Sequence, residues 1–124
     1  MIKSLILALS MLAVCNKNCC ELELVDPIRS VMHGNVRNPK RFESMDECSG
    51  TIGKAATEVI FEQMDFETHD VLLFEWSGSG QDELSIKNQI GRYVVFEYTP
   101  GRTRDLKQHC QAYAIKKGMQ YNIP

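Results

Sequence analysis

The chain has 124 residues, of which 44% are apolar and 24% are charged, and its formal net charge is −2. This length accommodates one domain with one hydrophobic core, since domains most often contain about 100 to 150 residues. The chain is mildly acidic and its aromatic residues do not alternate with basic ones along one patch, so nothing indicates nucleic-acid binding.

The N-terminal residues have the pattern of a signal peptide. Lys3 precedes an uncharged, mostly aliphatic stretch over residues 4–14. That stretch is too short to cross a bilayer about 30 Å thick as a helix. We therefore predict a signal peptide over residues 1–15 and a single α+β domain over residues 16–124. The protein is expected to be exported, either to the periplasm or out of the cell.

Two features leave the processing of this segment open. Small residues at the recognition positions allow cleavage after Cys15 or after Ala13. Residues 12–15 also resemble the lipobox of bacterial lipoproteins, in which the cysteine carries the lipid. The alternative to a soluble product is therefore a lipoprotein, and only a lipid on Cys15 would place the protein at a membrane.

The chain contains five cysteines, at positions 15, 19, 20, 48 and 110. If Cys15 leaves with the signal peptide, four remain, and an even number in an exported chain predicts disulfides. The neighbours Cys19 and Cys20 would be strained if joined, so one is expected to pair with Cys48 and the other with Cys110. A single bridge between Cys48 and Cys110 is the alternative. No Cys-x-x-Cys motif occurs, and we expect no metal site.

Charge is unevenly distributed along the chain. Residues 43–83 are rich in Asp and Glu, whereas residues 84–124 have an excess of Lys and Arg. The two halves are expected to neutralise each other in the folded domain, and a basic partner-binding face is the alternative.

The first elements along the chain are short. Leu22 and Leu24 alternate with glutamates, the period of a half-buried strand. A second short strand is predicted over residues 28–32, and residues 36–42 are expected to form an irregular connection.

The next segment predicts helices. Ser44 followed by Glu47 fits a capping box, in which each side chain satisfies a backbone amide at the helix start. Apolar residues then recur at three- and four-residue spacings, and internal glycines interrupt them. We predict helices over residues 45–49 and 52–63, with Thr51 as a candidate second cap.

Strands dominate the rest of the chain. Val71–Trp76 is a run of mostly apolar residues without polar alternation, which predicts a central strand covered on both faces. Further strands are predicted over residues 83–87, 92–99, 109–116 and 119–123. Short connections between them imply an antiparallel meander of about five to six strands with one or two short helices packed on one face. The predicted fold class is therefore α+β.

A polar, glycine-bearing segment follows the central strand, and reads Trp-Ser-Gly-Ser-Gly-Gln-Asp from Trp76 to Asp82. It lacks the lysine of a P-loop and the first glycine of a nucleophile elbow. Two interpretations remain open: a hairpin turn whose side chains bond their own backbone, or a loop that contacts a ligand.

A second polar cluster lies in the loop that opens with Pro100 and Gly101. Arg102 and Arg104 could pair with Asp105 within this loop, or one of them could reach Asp82 across the sheet edge. The second arrangement would join the two segments into one polar surface beside Trp76.

Two segments carry a resemblance to a known group of proteins. Trp-Ser-Gly-Ser-Gly-Gln-Asp and Tyr-x-Pro-Gly-x-Thr-Arg-Asp-Leu, within residues 64–118, resemble signature blocks of small exported bacterial proteins of uncharacterised function. The resemblance implies a bacterial envelope protein and transfers no activity.

We therefore predict a noncatalytic binding module without a cofactor, whose partner is an envelope protein or a small anionic ligand. Its expected binding residues are Trp76, Ser77, Ser79, Gln81, Asp82, Arg102, Arg104, Asp105 and His109. One alternative is a small secreted hydrolase in which a serine acts with His109 and an aspartate. Another is a protease regulator that presents the glycine-bearing segment as a rigid insert.

Overall fold

The computed structural model describes residues 14–24 and 35–124, and in these residues the chain folds as an α+β domain. The helices are α1 (Met45–Ile52) and α2 (Lys54–Phe61). The strands are β1 (Cys19–Leu22), β2 (Lys40–Phe42), β3 (His69–Gly78), β4 (Glu83–Ile90), β5 (Tyr93–Thr99), β6 (Lys107–Lys116) and β7 (Gln120–Asn122). Most of the expected signal peptide and the strand expected over residues 28–32 lie outside the described residues.

The strands form two sheets, and the expected single meander is wrong. Sheet A is antiparallel and has the order β1-β6-β3-β2, while sheet B has the order β4-β5-β7. In sheet B, β5 pairs with β7 in parallel. The central strand β3 pairs along its full length with β6, which is distant in sequence, and not with its successor β4. Residues 36–42 were expected to form an irregular connection, but they contain strand β2.

The composition of β3 explains this division. Eight of its ten residues are buried, so both faces of sheet A need an apolar cover. Val71 and Leu73 point into a core that also contains Cys48 of α1 and Ile60 of α2. Leu72, Phe74 and Trp76 point the other way, into a second core between the two sheets. This core also contains Val94 and Phe96 of sheet B and Tyr113 of β6. A meander with helices on one face would leave the second face of β3 in water.

Ser44 is confirmed as the cap of the first helix, and the Glu47 side chain reaches back to the amide of the residue before the cap. The Glu47 amide donates to Ser44 Oγ at 3.2 Å, and Glu47 Oε1 accepts the Glu43 amide at 3.0 Å. The helix then continues to Ile52, further than expected. Gly53 separates the two helices because its φ of +93° lies in the left-handed region that glycine tolerates. Thr51 is therefore not a cap.

The disulfide pairing differs from the expectation. Cys15 and Cys20 form the bridge, with a Cα–Cα distance of 5.8 Å. Cys19, Cys48 and Cys110 take no part in it. The Cys15 side chain is buried in the helix-side core, and its amide donates to the Gln63 carbonyl at 2.8 Å. The sequence argument failed because it assigned Cys15 to the removed segment.

The two oppositely charged halves are joined at one buried carboxylate. Asp70 is 3% exposed and accepts from Arg41 Nε at 2.9 Å and from Lys117 Nζ at 2.5 Å. Within residues 14–24 and 35–124, the contact between Lys117 and Asp70 is the ion pair that joins the two halves, because Arg41 lies outside both. Arg102 and Arg104 form no ion pair within these residues.

Candidate functional site: two interlocked loops

Two loops connect sheet A to sheet B at the same end of the domain. We call residues 79–82, between β3 and β4, the glycine loop, and residues 100–106, between β5 and β6, the arginine loop. Gly78 at the end of β3 is paired with Lys107 of β6, and Glu83 of β4 is paired with Thr99 of β5. Because the strands on both sides of the loops are paired, the loops must run side by side.

Asp82 connects the glycine loop to three other parts of the site. Its Oδ2 atom accepts from Trp76 Nε1 at 3.1 Å and from the Tyr98 hydroxyl at 2.9 Å. Its Oδ1 atom accepts the amide of Gly101 at 2.7 Å. The carboxylate thus ties a buried indole, a strand of sheet B and the arginine loop to a single point.

These contacts also set the charge state of Asp82. Partial burial acts to raise the pKa of its carboxyl group. The hydrogen bonds from Gly101, Tyr98 and Trp76, together with the nearby His109, outweigh that effect and lower the pKa below its ordinary value. For Tyr98, burial and the bond to the Asp82 carboxylate raise the pKa of the phenol. Asp82 is therefore a carboxylate and Tyr98 a neutral donor at physiological pH.

Ser79 provides the second connection. Its hydroxyl is hydrogen-bonded to the Thr103 hydroxyl and accepts the Thr103 amide at 3.2 Å. Its carbonyl accepts from His109 Nε2 at 2.7 Å. The amide of Gly80 donates to Asp105 Oδ1 at 3.2 Å. Bonds from Thr103 and Gly80 lower the pKa of Asp105, so it is also held as a carboxylate.

The glycines of the two loops are required by close approach. A Cβ atom on Gly101 would lie 2.6 Å from the backbone carbon of Gln81, and one on Gly80 would lie 2.3 Å from Asp105 Oδ2. A Cβ atom on Gly78 would lie 2.1 Å from Asp82 Oδ2. The clash at Gly101 involves main chain, which cannot rotate away, so only glycine fits there.

The arginine loop alternates between bonded and outward residues. Gly101, Thr103 and Asp105 are each hydrogen-bonded to the glycine loop. Arg102, Arg104 and Leu106 are exposed, and their side chains make no hydrogen bond or ion pair within the described part of the chain. Leu106 is 82% exposed, the largest value among the exposed large apolar residues of that part. Thr103 and Asp105 are also exposed, but their side chains are held by hydrogen bonds. We call the three unbonded side chains, two guanidinium groups and one aliphatic group, the outward row.

Some of the expected binding residues occupy other environments. Trp76 is only 4% exposed and belongs to the core between the sheets, so the structure provides no surface tryptophan here. Its ring stacks on His109 with centroids 4.8 Å apart and an interplanar angle of 13°. Arg102 and Arg104 pair with neither Asp82 nor Asp105 in the structure. Neutral donors hold both carboxylates instead, and the arginines face outward.

Ser79 and His109 do not have the relative geometry of a nucleophile and its base. The Ser79 hydroxyl is occupied by Thr103, and His109 Nε2 contacts the Ser79 carbonyl and not its hydroxyl. Ser77 is exposed and Gln81 lies at the outer turn of the glycine loop. A nucleophile needs a base within hydrogen-bond reach, and the described residues supply none to Ser79.

Sequence reasoning missed several residues of this site. Tyr98 is hydrogen-bonded to Asp82, and Thr103 is hydrogen-bonded to Ser79. Leu106 is the third exposed, unbonded side chain of the arginine loop. The alternation of small or acidic residues with Arg, Arg and Leu over residues 101–106 was the available signal, since it has the period of an extended segment with two different sides.

Comparison with known proteins identified no match among family models, curated proteins or solved structures. In the described ranges, no cluster of His, Cys, Asp and Glu has the arrangement of a metal site. The same ranges contain no helix with the length and apolar character needed to cross a bilayer.

Proposed function

We propose that this chain is a noncatalytic binding module of the bacterial envelope and that the outward row of the arginine loop is its recognition element. The observation that supports this is the alternation of hydrogen bonding along the loop. Every second residue is bonded to the glycine loop, and the intervening side chains are exposed and unbonded within the described residues. A surface loop fastened in this way loses little conformational entropy on binding.

The composition of the row defines its partner. Arg102 and Arg104 are exposed cations without an ion-pair partner in residues 14–24 and 35–124. Guanidinium groups bind carboxylates in bidentate fashion, and arginine is enriched at binding hot spots. Leu106 adds an aliphatic group that is costly to leave in water. The partner is therefore an acidic protein surface with an adjacent apolar pocket.

Export and processing form the second part of the proposal. A disulfide is stable in an oxidising compartment, and the Cys15–Cys20 bridge fits one. Cleavage after Cys15 would remove one of its sulfurs, and a lipid thioether on Cys15 would occupy it. We therefore place cleavage after Ala13, which leaves the bridge in the mature protein.

A photoreactive side chain at Leu106 tests the recognition element in cells. We expect a specific cross-linked product that is lost when Arg102 and Arg104 are both replaced by alanine. The same photoreactive residue at Ile90, which is 63% exposed on β4, provides the positional control. Replacing Lys87, an exposed base of β4, and Arg92, an exposed base in the turn between β4 and β5, by alanine removes the same charge and should leave the product unchanged. A product that survives the double arginine replacement contradicts the proposal.

A further inference from the structure

We infer that the arginine loop is a substrate-like insert for the active-site cleft of a trypsin-type serine protease, with Arg102 in the specificity pocket, so that the chain acts as an inhibitor. This inference rests on the proposed function, because it names the class of partner that the same outward row engages. It differs from the protease regulator predicted from the sequence, in which the glycine loop was the insert.

The backbone of the loop has the character of a strand that lacks a neighbour. Residues 100–106 belong to neither sheet. The amides of Gly101 and Thr103 donate to side chains of the glycine loop. Within the described residues, the amide and carbonyl groups of Arg102 and Arg104 have no partner. Such alternate backbone groups can pair with a strand of another protein, while pockets of that protein take the alternate side chains.

The side chains identify the type of pocket. Trypsin-type enzymes select arginine or lysine through an acidic residue at the base of the pocket that receives the side chain preceding the scissile bond. Arg102 is exposed and has no acidic partner within residues 14–24 and 35–124. It lies between two residues that are hydrogen-bonded to the glycine loop. A guanidinium group in this position needs no rearrangement before it enters an acidic pocket.

Arg102 is favoured over Arg104 by the way the flanking residues are held. On both sides of Arg102 the main chain itself is fixed, through the amides of Gly101 and Thr103. After Arg104 only the Asp105 side chain is fixed, by the amide of Gly80. A carboxylate directly after the pocket residue would also oppose an acidic pocket. Arg104 and Leu106 would then contact the protease surface beyond the scissile bond.

The same bonds explain why the loop would inhibit and not be consumed as a substrate. Attack by the protease serine on the Arg102 carbonyl would release the Thr103 amine. The Thr103 nitrogen is hydrogen-bonded to Ser79 Oγ, and the Gly101 amide is hydrogen-bonded to Asp82 Oδ1. The two chain ends created by cleavage would therefore stay in place. The amine remains beside the acyl carbonyl and reforms the peptide bond as it expels the serine. Fastened loops of this kind gain affinity because little order is lost on binding.

Inhibition of trypsin, measured with a chromogenic amide substrate, tests the inference on the full chain. We expect competitive inhibition by the wild type. The inhibition constant should be about 30-fold or more larger for Arg102→Ala, whereas Arg102→Lys should still inhibit. Arg102→Leu should no longer inhibit trypsin and should inhibit chymotrypsin, because the specificity pocket of chymotrypsin is apolar. Arg92→Ala is the matched control and should behave as wild type.

Loosening the loop provides a second measurement. Ser79→Ala removes the acceptor of the Thr103 amide, and should convert the chain from an inhibitor into a substrate that is cleaved after Arg102, as detected by mass spectrometry. Rapid cleavage of the wild type without inhibition, or equal inhibition by Arg102→Ala, would overturn the inference. If trypsin is not inhibited but cross-linking from Leu106 still depends on the arginines, this inference fails and the proposed function stands. If cross-linking is also independent of the arginines, both fail.

Discussion

Removal of the Asp82 carboxylate is expected to destabilise the end of the domain that carries both loops. Asp82→Ala deprives Trp76 Nε1, the Tyr98 hydroxyl and the Gly101 amide of their acceptor. The indole is buried, so water cannot replace the carboxylate there, and an orphaned buried donor costs about 1–3 kcal/mol. The other two donors are partly accessible to water, and each loss contributes about 0.5–1 kcal/mol. We expect a total of about 2–5 kcal/mol.

Urea unfolding followed by tryptophan fluorescence measures this loss directly. Trp76 is the single tryptophan of the chain, so the probe reports from inside the site. With a slope of about 2 kcal/mol/M, which should not change, the midpoint should fall by roughly 1–2.5 M. Glu97→Ala, which removes an exposed carboxylate from β5, is the control and should change stability by less than about 0.5 kcal/mol. An equally small change for Asp82→Ala would refute the assignment of Asp82 as the hub of the site.

The pH dependence of the same difference follows from the lowered pKa of Asp82. A group whose pKa is lower in the folded state stabilises the fold at pH values above its unfolded pKa, and this contribution is lost as the pH falls through the folded value. The stability difference between wild type and Asp82→Ala should therefore be constant near neutrality and shrink in the acid range. A difference that grows on acidification would contradict the hydrogen-bond network.

Three further predictions concern glycine and cysteine residues. Gly101→Ala should separate the two loops and lower the free energy of unfolding by about 2 kcal/mol or more in the same urea assay. Gly50→Ala is the control, because Gly50 lies in a helix with open space at the Cβ position, and it should raise the free energy of unfolding by up to about 1 kcal/mol. Cys20→Ala removes the bridge to Cys15 and should lower the free energy of unfolding by about 2 kcal/mol, because the bridge closes a short loop. The intact mass of the wild type, measured without reductant, should show one disulfide in a chain that begins after Ala13. Burial raises the pKa of Cys19 to about 12, so the folded protein should resist alkylation of this thiol at pH 8, as measured by peptide mass spectrometry; fast labelling would show that the thiol is accessible.

Local sequence patterns determined most of the secondary structure. The Ser44–Glu47 capping box marked the start of α1 because its interactions lie within one helical turn. The apolar run of β3 marked a strand that is covered on both faces. The alternation of Leu22 and Leu24 indicated a strand in this region, but β1 ends at Leu22 and begins earlier, at Cys19. These features depend on neighbours in the chain, and the sequence contains them in full.

The candidate site was predictable only in part. The polar character of the glycine loop and the arginine loop indicated that they belong together, and the structure places them in contact through Asp82 and Ser79. The partners of the individual side chains were not predictable. Arg102 faces outward because neutral donors already satisfy Asp82, and those donors come from residues up to 19 positions away.

The sequence by itself determined that this chain has an α+β fold rich in strands, a helix capped at Ser44 and two polar segments at strand ends. Only the tertiary structure decided that the strands divide into two sheets, that Cys15 pairs with Cys20, and that Trp76 is inside while Leu106 is outside. Propensity and period act between neighbouring residues. The choice among distant partners depends on which surfaces need cover from water, and that is settled only when all elements pack together.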